Sequence, residues 1–279
     1  MRYSRLGQKG AVLVLTFIIM ASLTAIAVSF LYMNSIQTKA MGQDISGAKA
    51  LWLAEAGLQK AIWNLKTPIS VGGQGEDWTT PGVTEGLGGG SYVMAVARWD
   101  FALSANGSSA AATSEQGSNV AANAIDGSDD TYWESQNKPS SGNPQEIIIA
   151  FPYSLIINKA RFLVSSGLSQ QRPKDYSWQV SADGVSYSVV LDVNNNNSLD
   201  VVDTFAAASN VKYLKLQVTK TGGGPDGVAV AALEAIGAKI TSTGSAYDIS
   251  RKIEQTTVAD DATQTAYNEK DWNEIVPAS

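Results

Sequence analysis

Residues 11–32 read AVLVLTFIIMASLTAIAVSFLY, 22 consecutive positions without a charge. As an α-helix rising 1.5 Å per residue, this stretch is about 33 Å long, enough to cross a bilayer core of about 30 Å. The ten residues before it, MRYSRLGQKG, carry Arg2, Arg5 and Lys9 and no acid, which keeps them cytoplasmic by the positive-inside rule. A secretory signal peptide cut after Thr24-Ala25-Ile26-Ala27 is the plain alternative. Against it, the apolar run starts directly after Gly10, exceeds a usual signal core and flows on into more helix. Beyond Tyr32, Leu51, Leu58, Ile62 and Leu65 recur at intervals of seven, four and three, which lines one helix face. Ala48, Ala50, Ala54, Ala56 and Ala61 between them are strong helix formers, and Pro68 forbids continuation. The result is one helix of about 55 residues, roughly 80 Å long. Its first half is greasy and its second amphipathic, a shape that suits a subunit packed into a fibre.

The stretch QKGAVLVLTFIIMASLTAIAVSFLY followed by AKALWLAEAGLQKAIWNL resembles the start of a type IV minor pilin or pseudopilin, closest to the PilX-type and K-type members. The resemblance covers residues 1 to about 66. It implies that a prepilin peptidase cuts after Gly10 and methylates the new N-terminus, Ala11. Major pilins carry at the fifth mature position a glutamate that pairs with a neighbour's terminal amine. Here that position is Leu15. A charge in an apolar bundle is costly unless paired, so Leu15 implies no such partner. K-type minor pseudopilins share this absence and cap the fibre, which favours a tip position. The partners implied are other pilins through the helix, and the inner membrane before assembly.

Composition narrows the chemistry. The 279 residues allow roughly two folded units at about 150 residues each. With 20 Lys plus Arg against 26 Asp plus Glu, the net charge is −6 and the pI about 4.8, which argues against a nucleic-acid partner. There is no cysteine and no histidine. Thiol chemistry, zinc fingers and a histidine base are excluded. The low charged fraction and abundant Gly, Ser, Thr and Asn suit a β-rich exported protein.

From Lys66 to Ser91 the chain is crowded with Gly, Pro, Ser and Thr and reads as loop. SYVMAVARW then reads as a strand. A second strand set, AKITSTGSAYDISRKIEQTTVA, lies near the C-terminus with Gly244 and Ser245 as turn candidates. In pilin-like proteins strands of these two kinds follow each other directly. Here about 138 residues intervene, too many for a loop in a compact domain. Within residues 102–238, EIIIAFP, NKARFLVSS, DYSWQVSA, YSVVLDV and VKYLKLQVTK are short β-rich runs separated by turn residues, the signature of an all-β sandwich. NVAANAIDGSDDTYWESQ, KDYSWQVSADGVSYSVV, NVKYLKLQVTK and AALEAIGAKI, in that order, resemble a discoidin domain. This is the coagulation factor 5/8 type C family, many of whose bacterial members are carbohydrate-binding modules. The family's acidic strand ending in a DLG motif is replaced by EIIIAFPYS. The resemblance implies a jelly-roll whose close termini permit insertion into a host loop.

The expected fold class is therefore α+β: a long N-terminal transmembrane pilin helix with a small β-sheet head, plus an inserted all-β jelly-roll sandwich. The divisions are a leader at 1–10, the helix at 11–66 with 11–32 in the membrane, the head at 67–101 and 239–279, and the sandwich at 102–238.

Two oxygen-rich patterns are candidate calcium sites. The family resemblance implies a structural Ca2+ held by Asp126, Asp129 and Thr131 in AIDGSDDT and by the late Glu234, all hard oxygen donors. The same residues also read as a plain Asp-Gly turn with a local side-chain bond. In DVNNNNSLDVVD, Asp192, Asn194, Asn196, Ser198 and Asp203 share the spacing of an EF-hand-type loop, with Asn197 where Gly is usual. A polar hairpin tip is the other reading. The resemblance points for ligand contacts to the loop from Gln136 to Asn143, Asn137 included, and to Arg172, whose fork suits hydroxyls or a carboxylate. Trp133 reads as core.

No catalytic constellation is visible, so an enzyme is not expected. The expected function is a minor pilin at or near a pilus tip, displaying the module for adhesion to carbohydrate or another surface ligand. The alternative is a tip or assembly-priming pseudopilin of a type II secretion system. Both imply residence in the inner membrane with a cytoplasmic N-terminus, then in an extracellular pilus or periplasmic pseudopilus.

Overall fold

The computed structural model describes residues 6–224 and 226–257, with side chains from residue 12 onward. The chain begins with one unbroken helix, α1 (Leu6–Lys66), which includes Gly10 and Ala11 in its first turns. The side chains of 12–45 are exposed on every side. From Gly47 the helix lies on a β-sheet, burying Ala50, Leu53, Ala54, Leu58, Ala61 and Leu65. That sheet is built from β1 (Thr80–Leu87), β2 (Gly90–Asp100), the long β10 (Ala232–Ala246) and β11 (Ile249–Thr257), all antiparallel. Tyr92, Met94, Val96, Ile240 and Ile253 complete this first core.

The second core lies between two sheets made largely from the same two strands. β5 (Gln145–Leu163) and β8 (Asp200–Thr221) pair along most of their length, with register breaks between Ala150 and Lys159. Before the breaks they join β3 (Ser109–Ala112), β6 (Pro173–Ser181) and β7 (Ser188–Val193). After them β5 pairs with β10. A short pair, β4 (Trp133–Glu134) and β9 (Ala229–Val230), completes the set. Ile147, Ile149, Ile157, Phe162, Trp178, Leu214, Leu216 and Leu233 fill the interior. Fold class is α+β: a long apolar helix on a small sheet, plus a large antiparallel sandwich.

Four local expectations are corrected. The stretch read as loop contains β1, an edge strand that accommodates Pro81 at a register break beside its Thr80–Val96 pair. EIIIAFP and NKARFLVSS belong largely to one strand, bent through Pro152. The hairpin after β10 turns at Tyr247-Asp248, with Tyr247 at φ 54°, rather than at Gly244-Ser245. Gly244 serves another purpose: a Cβ there would overlap the Ala50 carbonyl oxygen and the Ala54 nitrogen, so glycine lets the helix settle onto the strand. Lastly, the boundary at 238/239 falls inside β10. Residues 232–235 pair with β5 of the sandwich and 236–245 with β2 of the head. Residues 258–279, expected to finish the head, lie outside the described residues.

Candidate functional site

Because β5 and β8 fold over, both ends of each meet at one end of the sandwich. The loop before β8 and the turn after it both bond to Arg172: its Nε donates to the Asn196 carbonyl at 3.4 Å, and its carbonyl accepts the Gly222 N–H at 3.1 Å. The Arg172 guanidinium also donates to the Ser169 carbonyl at 2.6 Å and to Asn197 Oδ1 at 3.1 Å. Arg172 thus ties three loops together, and its fork is occupied by them. A few residues away, Glu134 accepts from Gln171 Nε2 at 2.7 Å and from Asn119 Nδ2 at 2.9 Å. No spacing in the sequence could have found Glu134, Asn119 and Gln171 together, since they come from separate stretches of the chain, Glu134 from β4.

Gln136 and Asn137 lie at this end and are exposed. Their backbone is pinned: Gln136 N–H donates to Ser114 Oγ at 3.1 Å, and the Asn137 carbonyl accepts from Ser135 Oγ at 2.8 Å. Gln170 and Asn197 are exposed as well. The outcome is a rim of amide side chains on a braced backbone, able to donate and accept hydrogen bonds together. Trp133 is fully buried with its Nε1–H on the Ser114 carbonyl at 3.0 Å, which removes it from any stacking role.

The first calcium set is divided. Asp126 and Thr131 meet at 2.7 Å, and the other Asp126 oxygen accepts the Ser128 N–H at 2.8 Å, the geometry of a local Asp-Gly turn. Glu234 is held by Arg161 and Arg98. Arg161 in turn forks onto Asp200 at 2.6 and 3.0 Å, so an alternating chain Asp200–Arg161–Glu234–Arg98 crosses from sandwich to head. The Asp200 carboxylate, then Glu234, push the Arg161 pKa above its ordinary value despite burial. Glu234 has its charge satisfied there by the two arginines. In the second set, Asp203 accepts from Trp178 Nε1 at 2.7 Å and from the Tyr176 hydroxyl at 2.9 Å, on β8 rather than in the loop. Burial, then the Asp203 charge, raises the Tyr176 pKa. Asn196 bonds to Pro173 and to Ser198, closing a polar turn on itself, while Asp192 and Asn194 are exposed. Among the described residues, no three acidic side chains converge to hold a cation.

A family model described as F5/8 type C domain matches residues 108–233, so the chain carries an F5/8 type C domain over the sandwich. Among solved structures, chitosan-binding module 1 of a chitosanase/glucanase from Paenibacillus sp. IK-5 is 25% identical. The match covers 50% of this chain and 98% of that one, with a TM-score of 0.43. A family 32 module of Clostridium perfringens NanJ, solved with galactose, is 20% identical over 50% of this chain and 99% of its own, at 0.44. Module CBM32-5 of the same organism's GH89 enzyme, solved with GalNAc-β-1,3-galactose, is 27% identical over 46% and 94%, at 0.42. Comparison with curated proteins gives no match.

Proposed function

We propose that the chain is an anchored carbohydrate-binding protein that presents the loop end of its F5/8 type C domain to a glycan. The observation that carries this reading is the amide rim of Gln136, Asn137, Gln170 and Asn197, on loops braced by Arg172 and Glu134, within the block that matches the family. Sugar hydroxyls donate and accept at once, which suits side-chain amides, and a pre-ordered rim loses little entropy on binding. The test is a glycan array probed with the full chain in detergent micelles. Capture of defined glycans, reduced at least tenfold by the double variant Gln136→Ala, Asn137→Ala, is the expected result. Absence of capture, or capture that ignores both residues, rejects the site.

A second reading concerns the anchor: a minor pilin or pseudopilin, cut between Gly10 and Ala11 and carried at or near a fibre tip. It is favoured by an unbroken helix whose first half is apolar and exposed while its second half packs on a small sheet. Mass spectrometry of the mature protein tests it; an N-terminus anywhere but Ala11 counts against it.

A further inference from the structure

We infer that the outward face of α1 beyond the membrane span takes the same face of a second, parallel copy of the chain. This rests on the membrane-anchored helix and is independent of sugar binding. Opposite the face buried on the head sheet, Met41, Ile45, Trp52 and Trp63 are 65, 69, 73 and 50% exposed. Met41, Trp52 and Trp63 stand eleven residues apart. Eleven residues make three turns plus about 20°, so the three side chains stack into one nearly straight ridge with about 16 Å between members. A bilayer that holds residues 11–32 does not reach them. Met41 lies about 13 Å and Trp63 about 46 Å beyond Tyr32 along the helix. Large exposed apolar surface of this kind marks an interaction site.

The occupant follows from the charges, which obey the same repeat. Asp44 and Glu55 stand three residues after Met41 and Trp52, and Lys49 and Lys60 stand eight after them. At about 100° per residue the acids fall about 60° to one side of the ridge and the lysines about 80° to the other. Two parallel helices packed ridge to ridge set the acidic flank of each against the basic flank of its partner, as e and g positions do in a coiled coil. An antiparallel pair would set like flanks together. Copies anchored through the same N-terminal span in one bilayer are necessarily parallel. Lys60 also meets Glu85 of its own head at 2.6 Å while its side chain stays 41% exposed. Lys49 reaches the Gly89 carbonyl at 3.4 Å. Both lysines are thereby steadied beside the ridge.

The chain has no cysteine, so single cysteines report contact directly. In membrane vesicles carrying the full chain, mild oxidation of Gln59→Cys and of Ile45→Cys should yield disulfide dimers. Gln43→Cys, exposed on the opposite side of the helix, should yield at least tenfold less. Adding Glu55→Lys should lower the Gln59→Cys dimer several-fold, and adding Lys60→Glu as well should restore it. Monomer throughout, equal yields at Gln43→Cys and Gln59→Cys, or a main adduct with a different protein would overturn the proposal. Yield indifferent to Glu55→Lys would overturn the parallel arrangement. Glycan capture and the mature N-terminus, measured on the same variants, separate a failure here from a failure of either functional reading.

Discussion

The head and the sandwich share a strand yet close their cores differently. The head has one helix face on one sheet, and its fit depends on small residues: Ala50, Ala54 and Ala61 on the helix, Gly244 on the strand. The sandwich closes two sheets over bulky rings. Phe162 meets Tyr176 edge-on at 5.1 Å and Trp178 at 6.4 Å. The head therefore leaves the rest of its helix uncovered, whereas the sandwich is finished apart from its loops. The difference teaches that a helix-on-sheet core covers only one face of its helix, whereas a sandwich covers the inner faces of both its sheets. Between them run the shared β10, the Asp200–Arg161–Glu234–Arg98 chain, and Lys159, which is buried and bonds Glu76 at 2.8 Å and Asp77 at 2.9 Å. Burial opposes the Lys159 charge, but the two carboxylates outweigh it and raise its pKa.

The strongest way to break this comparison is in the sandwich. Trp178→Ala removes a fully buried ring and one donor to Asp203, at a cost of about 3–5 kcal/mol. The sandwich's thermal transition should fall while the helical circular-dichroism signal melts where it did. If both fall together, the shared strand has made one cooperative unit. Next, Gly244→Val forces a side chain between β10 and the helix, costing about 2–3 kcal/mol in the head. Hydrogen exchange should quicken in β2 and β11 and remain unchanged in β6 and β8.

The smallest effect sharpens the seam. Burial drives the Asp100 carboxyl up to about 6 from 3.8, against the hydrogen bonds it accepts from Ala102 and Ala235 N–H and with the Glu234 charge adding to the rise. The folded chain then holds a proton that the unfolded chain releases. Stability is complete below about pH 4, falls as pH rises toward about 6 and is flat above. Asn keeps the acceptor without the charge, so Asp100→Asn should flatten melting temperature against pH over that window. An unchanged slope in the variant would assign it to other groups.

Much of this was legible along the chain. The uncharged run of 11–32, the alanine-rich face behind it and Pro68 set the helix, because helix period and termination are local properties. The alternating runs of the sandwich were legible for the same reason. β1 was not, since Pro81, Gly82 and Gly86 read as loop until β2 offers them a partner. Glu234 read as a metal donor because its neighbours along the strand resemble the family. The two arginines that hold it come from β5 and from β2, 73 and 136 residues away.

By itself the sequence determined the long helix, most of the strand-forming runs and the presence of two cores, since hydrophobic period and turn chemistry act over a few residues. Only the tertiary structure decided that β10 serves both regions, that Arg172 braces loops rather than standing free, and that the two tryptophans of α1 face away from the head. Each of these depends on which surfaces meet across the fold. Strand register, close backbone approach and ion pairing join residues far apart in the chain, and no local pattern encodes them.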